Sequence, residues 1–180
     1  MRTINCILSK ITKHQHKFLL TLFSTIMLLQ GRMNFRNMGR YSNLNEKSYS
    51  RNFRKSFDFT LFNHLLIMDT IPNTNKRIAA IDASYVPKIG KHSYGIDKFW
   101  SGVAGKSQKG QEISSLAIID LDYNTAYNLS VEQTPSSYEI GEEEENRIDF
   151  YLQQIKKNKE YLISHGVNHI ATDGLYSKRA

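Results

Sequence analysis

Ile78-Ala79-Ala80-Ile81-Asp82-Ala83-Ser84-Tyr85-Val86 is a short apolar run with an acid near its middle, and Pro87 ends it. Such a run between breakers reads as a β-strand, because proline cannot donate to a ladder and so stops extended pairing. Ahead of it, Ile71-Pro72-Asn73-Thr74-Asn75 has the composition of a linker, and the periodicity changes there from helical to extended. A domain boundary is therefore expected near residue 76, dividing the chain into residues 1–75 and 76–180.

Beyond the strand, Gly90, Gly95, Gly102, Gly105 and Gly110 punctuate a stretch expected to form loops and short irregular strands. Ile113 to Leu121 reads as a strand. Tyr123, Thr125, Tyr127, Leu129 and Val131 alternate over the next one, with Asp122-Tyr123-Asn124 near the turn. These make a three-stranded antiparallel meander. Helical spacing then returns, with Ile148, Leu152, Ile155 and Leu162 along one side. Glu142 to Glu145 open that helix and Lys156, Lys157 and Lys159 lie toward its end, an order that complements the helix dipole. Gly166 is a natural C-cap, and Val167 to Asp173 follows as a strand ending on an acid. The succession predicts an α/β fold whose last strand lies parallel to the first through a helical crossover.

Charge separates the two halves. Residues 1–60 hold 11 lysines or arginines against 2 acids, whereas residues 61–180 hold 13 against 15, so the net +7 of the chain belongs to one region. A local excess of this kind suits a polyanion, since Lys and Arg that neutralise phosphates release condensed counterions. A solvated basic surface has the same composition. From Lys13 to Leu29 the apolar residues Phe18, Leu19, Leu22, Phe23, Ile26 and Leu29 recur at three- and four-residue steps, which predicts a helix with a broad buried face. Asn34 opens a short segment, Phe35 to Gly39, and Ser42 or Asn45 can cap a further helix toward Phe53. On it Lys47, Arg51 and Lys55 recur every four residues with Arg54 beside them, the arrangement a helix-turn-helix uses to meet DNA. Asp58 then caps a helix through Met68.

The lone Cys6 cannot form an internal disulfide, and no Cys/His group has structural-zinc spacing, which fits a reducing cytoplasm. Phe18 to Leu29 follows Lys10, Lys13 and Lys17 as a signal core follows its basic start. It contains Thr21, Ser24 and Thr25, falls short of the roughly 20 residues that span a bilayer, and leads into Gln30-Gly31-Arg32 rather than a cleavage site. It reads as a buried helix of a compact helical domain, with no membrane association.

Two aspartates stand where apolar strands do not need them, Asp82 inside the first and Asp173 at the tip of the last. Either one alone is usually a capping or surface residue. A crossover that sets the last strand beside the first brings the two carboxylates together, and a divalent cation relieves their repulsion. Carboxylate-held metal suits phosphodiester chemistry, activating a water or a 3′-hydroxyl and stabilising the leaving oxygen.

Ala80-Ile81-Asp82-Ala83-Ser84-Tyr85-Val86-Pro87-Lys88, Gly95-Ile96-Asp97-Lys98-Phe99-Trp100, Glu112-Ile113-Ser114 and Ala171-Thr172-Asp173-Gly174-Leu175-Tyr176-Ser177-Lys178 together resemble the front half of the DDE transposases of bacterial insertion sequences. Gly31-Arg32-Met33-Asn34-Phe35-Arg36, Tyr41-Ser42 and Tyr49-Ser50-Arg51 resemble their amino-terminal region. The resemblance implies an RNase H-like catalytic domain, dependence on Mg²⁺ or Mn²⁺, and cleavage and joining of DNA ends. Asp82 corresponds to the first acid and Asp173 to the second. Terminal inverted repeats and target DNA are the implied partners, and a homodimer on paired ends is implied by the resemblance only. The family's third acid, a glutamate on a later helix, has no counterpart before Ala180, since Glu142 to Glu145 precede Asp173. The expectation is an incomplete RNase H-like fold in a truncated chain, inactive alone. Two alternatives compete: a non-catalytic DNA-binding fragment, and an RNase H-like nuclease of another family.

Other features read two ways or blandly. Lys88, Lys91, Lys98, Lys106 and Lys109 with Tyr94, Phe99 and Trp100 are either a DNA-contacting surface near Asp82 or solvated loop lysines around a small aromatic cluster. Lys178 is a candidate phosphate contact. Trp100 to Ser107 ends like a phosphate-binding loop but lacks its first glycine, and is rejected as one. His165 and His169 flank Gly166 without a third ligand nearby, which favours a structural role. If the helix through Arg51 contacts phosphate, Arg51→Ala weakens DNA binding and lowers the slope of log affinity against log salt by about 1, measured by titration at several salt concentrations.

Overall fold

The computed structural model describes residues 12–88, 90, 93–137 and 147–174. Glu142 to Glu145, Cys6, Lys91 and Lys178 lie outside them. The chain divides into two compact units, Met1–Leu65 and Leu66–Ala180. The division falls some ten residues ahead of the expected boundary near residue 76, because Ile67 and Ile71 are buried in the core of the second unit.

In the first unit, α1 (Lys13–Leu28) begins at Thr12 with a capping box: Gln15 N–H donates to Thr12 Oγ1 and Thr12 N–H to Gln15 Oε1. Helices α2 (Phe35–Met38) and α3 (Glu46–Phe53) are capped by Asn34 and Asn45, whose side chains accept from Asn37 N at 2.8 Å and Ser48 N at 2.9 Å. Asp58 caps α4 (Phe59–Thr70) through Leu61 N. Leu19, Leu22, Met38 and Tyr49 form the core, with Phe18 and Leu29 packed against it. The broad buried face expected of α1 narrows to a stripe. Phe23 and Ile26 are largely exposed, as are Leu20, Met27 and Leu28. The reason is Thr25, which takes the stripe's next position, donates to Thr21 O and lies 3.0 Å from the buried Tyr49 hydroxyl. Tyr49 donates to Ser42 Oγ at 2.8 Å, so the half-buried Ser42 accepts from the tyrosine while Asn45 does the capping.

The second unit is built on β1 (Arg77–Val86), β2 (Asp97–Ser101), β3 (Lys106–Asp120), β4 (Thr125–Gln133) and β5 (Ile170–Ala171). The order is β2-β3-β1-β5, with β4 also paired to β3. Antiparallel β1, β3 and β4 with parallel β5 reproduce the expected meander and crossover. The glycine-rich stretch differs from expectation. It forms a β-hairpin, and β3 starts at Lys106 rather than near Ile113, with Gly105 at φ +60° in the turn. The last strand is also shorter than expected, pairing only at Ile170 and Ala171.

One sheet face carries the core: Ala79 and Ile81 of β1, Leu116 and Ile118 of β3 and Leu129 of β4, against Tyr151, Leu162 and Val167. The expected single helix is two, α5 (Arg147–Lys157) and α6 (Lys159–Ser164), meeting at Asn158. Of the expected line, Leu162 is buried and Ile155 packs against the core, whereas Leu152 does not. Leu152 is exposed, while Tyr151, Gln154 and Asn158 are buried. Gln154 accepts from Ser114 Oγ at 2.6 Å and donates to Ser114 O and to Ser130, and Tyr151 donates to Glu112. Amide and hydroxyls satisfy each other, which makes a polar contact tolerable in a core. Gly166, at φ +70°, ends α6 in the left-handed conformation that glycine adopts freely. Gln154→Ala leaves the Ser114 hydroxyl buried without its acceptor and is expected to lower unfolding free energy by about 2 kcal/mol in urea denaturation.

Candidate functional site

Strand alternation decides where Asp82 points. Arg77, Ala79 and Ile81 of β1 are buried on the helix-covered side, so Asp82 emerges on the opposite face, exposed, directly across from Ser115 of β3. Among the described residues it makes no hydrogen bond or ion pair. On the other side of β1, Ala80 pairs with Ala171 of β5 in parallel. Asp82 and Asp173 each stand two residues beyond that pair, so the two strands carry their acids at equal distance along the same direction. Asp173 is exposed. Among the described residues no group of three or more His, Cys, Asp or Glu is placed to hold a metal ion.

The basic residues singled out in the sequence are not all brought together. Helix α3 ends at Phe53, so Arg54 is its C-cap and Lys55 lies beyond it, off the helical face that the four-residue spacing suggested. Arg51 and Lys55 nevertheless line one open hollow, shared with His14 and Lys17 of α1, and Lys47 is not part of it. In the sequence Lys17 stood out only as part of a basic start and His14 not at all, although their spacing with Thr21 puts them on one face of α1. Lys88 is exposed just past Pro87.

The hairpin beyond β1 is pinned by charge. Arg147 of α5 bonds Asp97 Oδ2 at 2.7 Å and lies over the Phe99 ring, 4.3 Å from its centre. Asp97 also accepts from Ser137 N, Ser137 Oγ and Lys98 N. Burial pushes this carboxyl up, but those hydrogen bonds and the Arg147 guanidinium outweigh it and hold Asp97 at about 2 against an ordinary 3.8. Phe99 is thereby buried, and Trp100, its neighbour, faces solvent. The histidines serve structure: His165 is buried against the Arg77 guanidinium, which also donates to Ile71 O and Pro72 O, and His169 O accepts from Ala79 N.

These placements define an α/β unit with a mixed sheet, an exposed carboxylate inside its first strand and a second just past that strand's parallel neighbour. The chain belongs to the DDE superfamily endonucleases, whose family model matches residues 6–137. The match takes in Asp82 and strands β1 to β4 and leaves Asp173 outside. No curated protein and no solved structure was found to match the chain. Membership gives the activity class, a nuclease of the transposase type, and with it DNA as the class of substrate. Among the described residues no helix is long and apolar enough to cross a membrane.

The Asp97 contacts carry a pH signature. Because its folded value lies below the unfolded one, the stabilisation is complete above about pH 4 and is lost as pH falls through about 2. Wild type should therefore exceed Asp97→Asn in urea midpoint at neutral pH, with the gap closing between about pH 4 and 2. A gap undiminished at the acid end would contradict this account.

Proposed function

We propose that the chain acts as a DDE transposase, binding the terminal inverted repeats of an insertion sequence and carrying out metal-dependent cleavage and strand transfer. Residues 76–180 form the RNase H-like catalytic part in this reading, with Asp82 as first and Asp173 as second acid. Residues 1–75 form the DNA-binding region and linker, where Lys47, Arg51, Arg54 and Lys55 meet phosphate, and Lys88, past the end of β1, is a separate phosphate contact. The observation that carries the reading is the parallel pairing of β1 with β5, with the two aspartates at equal offset beyond Ala80 and Ala171. Paired DNA ends would bring two copies of the chain together.

The donor set fits Mg²⁺ or Mn²⁺, since a carboxylate within β1 and another just past its parallel neighbour offer hard oxygen ligands. When bound, such an ion supplies Lewis-acid stabilisation of the attacking and leaving oxygens of an in-line displacement at phosphorus. Asp82 and Asp173 hold that charge at the sheet surface, where open solvent gives a DNA strand access. The β1–β3 ladder fixes the backbone from which Asp82 projects, which sets the face the carboxylate occupies. The reading asks for a third carboxylate, which none of the described residues supplies beside this pair. Metal affinity therefore reads the pair more directly than turnover does.

Titration of the chain with Mn²⁺, followed by electron paramagnetic resonance, is expected to show binding that weakens about tenfold or more in Asp82→Asn and in Asp173→Asn, a loss of about 1.4 kcal/mol each. Unchanged affinity in both variants would sink the two-acid site and leave a DNA-binding protein without catalysis as the better reading.

A further inference from the structure

Along β2 the side chains alternate, with Asp97, Phe99 and Ser101 turned toward Arg147 and Lys98 and Trp100 toward the other side. Lys98 pairs directly with Lys109 of β3, and Trp100 with Ser107. All four are exposed, Trp100 by 64%. Two like charges directly opposite each other in an antiparallel pair repel, and an anion between them reverses the sign. Lysines on an edge strand also deter edge-to-edge pairing, but that role does not place an open indole next to them.

The same side of the sheet carries Asp82. Lys109, Gln111, Ile113 and Ser115 alternate along an unbroken length of β3, and Ser115 faces Asp82. Six residues separate Lys109 from Ser115, which is about 20 Å of strand. At about 3.4 Å per stacked nucleotide that distance is roughly six nucleotides. Between them lies Tyr94, 60% exposed, its carbonyl accepting from Gln111 and Gln133.

We propose that the β2–β3 hairpin is an arm that holds an unpaired nucleotide of the DNA substrate, Trp100 stacking on its base and Lys98 and Lys109 meeting the adjoining phosphates. A cation pair with an aromatic face between strands is the combination that binds single-stranded nucleic acid, because every base offers a π-face and every linkage a charge. Arg147 holds the arm from behind through Asp97 and Phe99, so the binding face is ordered before DNA arrives. The inference rests on DNA as the substrate and adds where an unpaired segment runs relative to Asp82.

Trp100 is the sole tryptophan, so its emission reports on this site alone. The full chain is titrated with an unlabelled single-stranded oligonucleotide and with a blunt duplex of equal length, following tryptophan emission, while anisotropy of labelled versions measures affinity. The single strand should quench Trp100, and the duplex should bind without quenching. Trp100→Ala should weaken single-strand binding about tenfold, with Trp100→Phe restoring most of it. Lys98→Ala with Lys109→Ala should lower the salt slope for the single strand by about 1.4. Single-strand binding with silent emission and an unaffected Trp100→Ala variant overturns the arm while leaving DNA as substrate. Equal quenching by duplex overturns the unpaired nucleotide, and failure of both DNAs to bind overturns the arm and the DNA reading together. Retained quenching in Asp82→Asn separates the arm from the metal site.

Discussion

The period of two along β1 and β3 is the constraint on which the second unit depends. The strands pair over ten positions, from Arg77 with Asp120 to Val86 with Gln111. A slip of β1 by one residue would turn Ala79 and Ile81 toward solvent and drive Asp82 under the helices. The register is anchored at the far end by Asp120, which accepts from Asn75 Nδ2, Asp122 N and Tyr123 N. Burial pushes that carboxyl up, and these bonds with the nearby Arg77 guanidinium hold it below the usual carboxylate range. One ladder thus places both the core on one face and the acid on the other.

The polar seam between sheet and helix adds direction to that register. Leucines would pack in several offsets, whereas Gln154 meets Ser114 and Ser130 in only one. Hydrogen bonds in a low-dielectric interior are strong when made and expensive when left open, so a shifted helix is disfavoured beyond its lost packing. Asn158, whose amide donates to Gln154 O, continues the seam to the point where α5 gives way to α6. The sheet's opposite face carries Asp82, exposed, across from Ser115.

Much of this was written locally. Asn34, Asn45, Asp58 and Gly166 were legible as helix ends, because a cap is satisfied by backbone groups two or three residues away. The first strand, the meander and the parallel return also showed in the pattern. Asp82 stood out as an acid inside an apolar strand. Asp173 was visible only as the end of a run, and its equal offset with Asp82 needed the pairing of Ala80 with Ala171.

By itself, then, the sequence determined the order of elements, their caps, the concentration of cations in residues 1–60 and the position of the misfit acid in β1. Only the tertiary structure decided which face of α5 is buried, that the glycine-rich stretch is a hairpin continuous with β3, and that Phe99 is covered while Trp100 is open. The physical reason is range. Spacing reports that a segment has two faces, but a buried Gln154 is recognised only by partners 24 and 40 residues away. The aromatic pair was sorted by Arg147, whose guanidinium reaches Asp97 across 50 residues of chain.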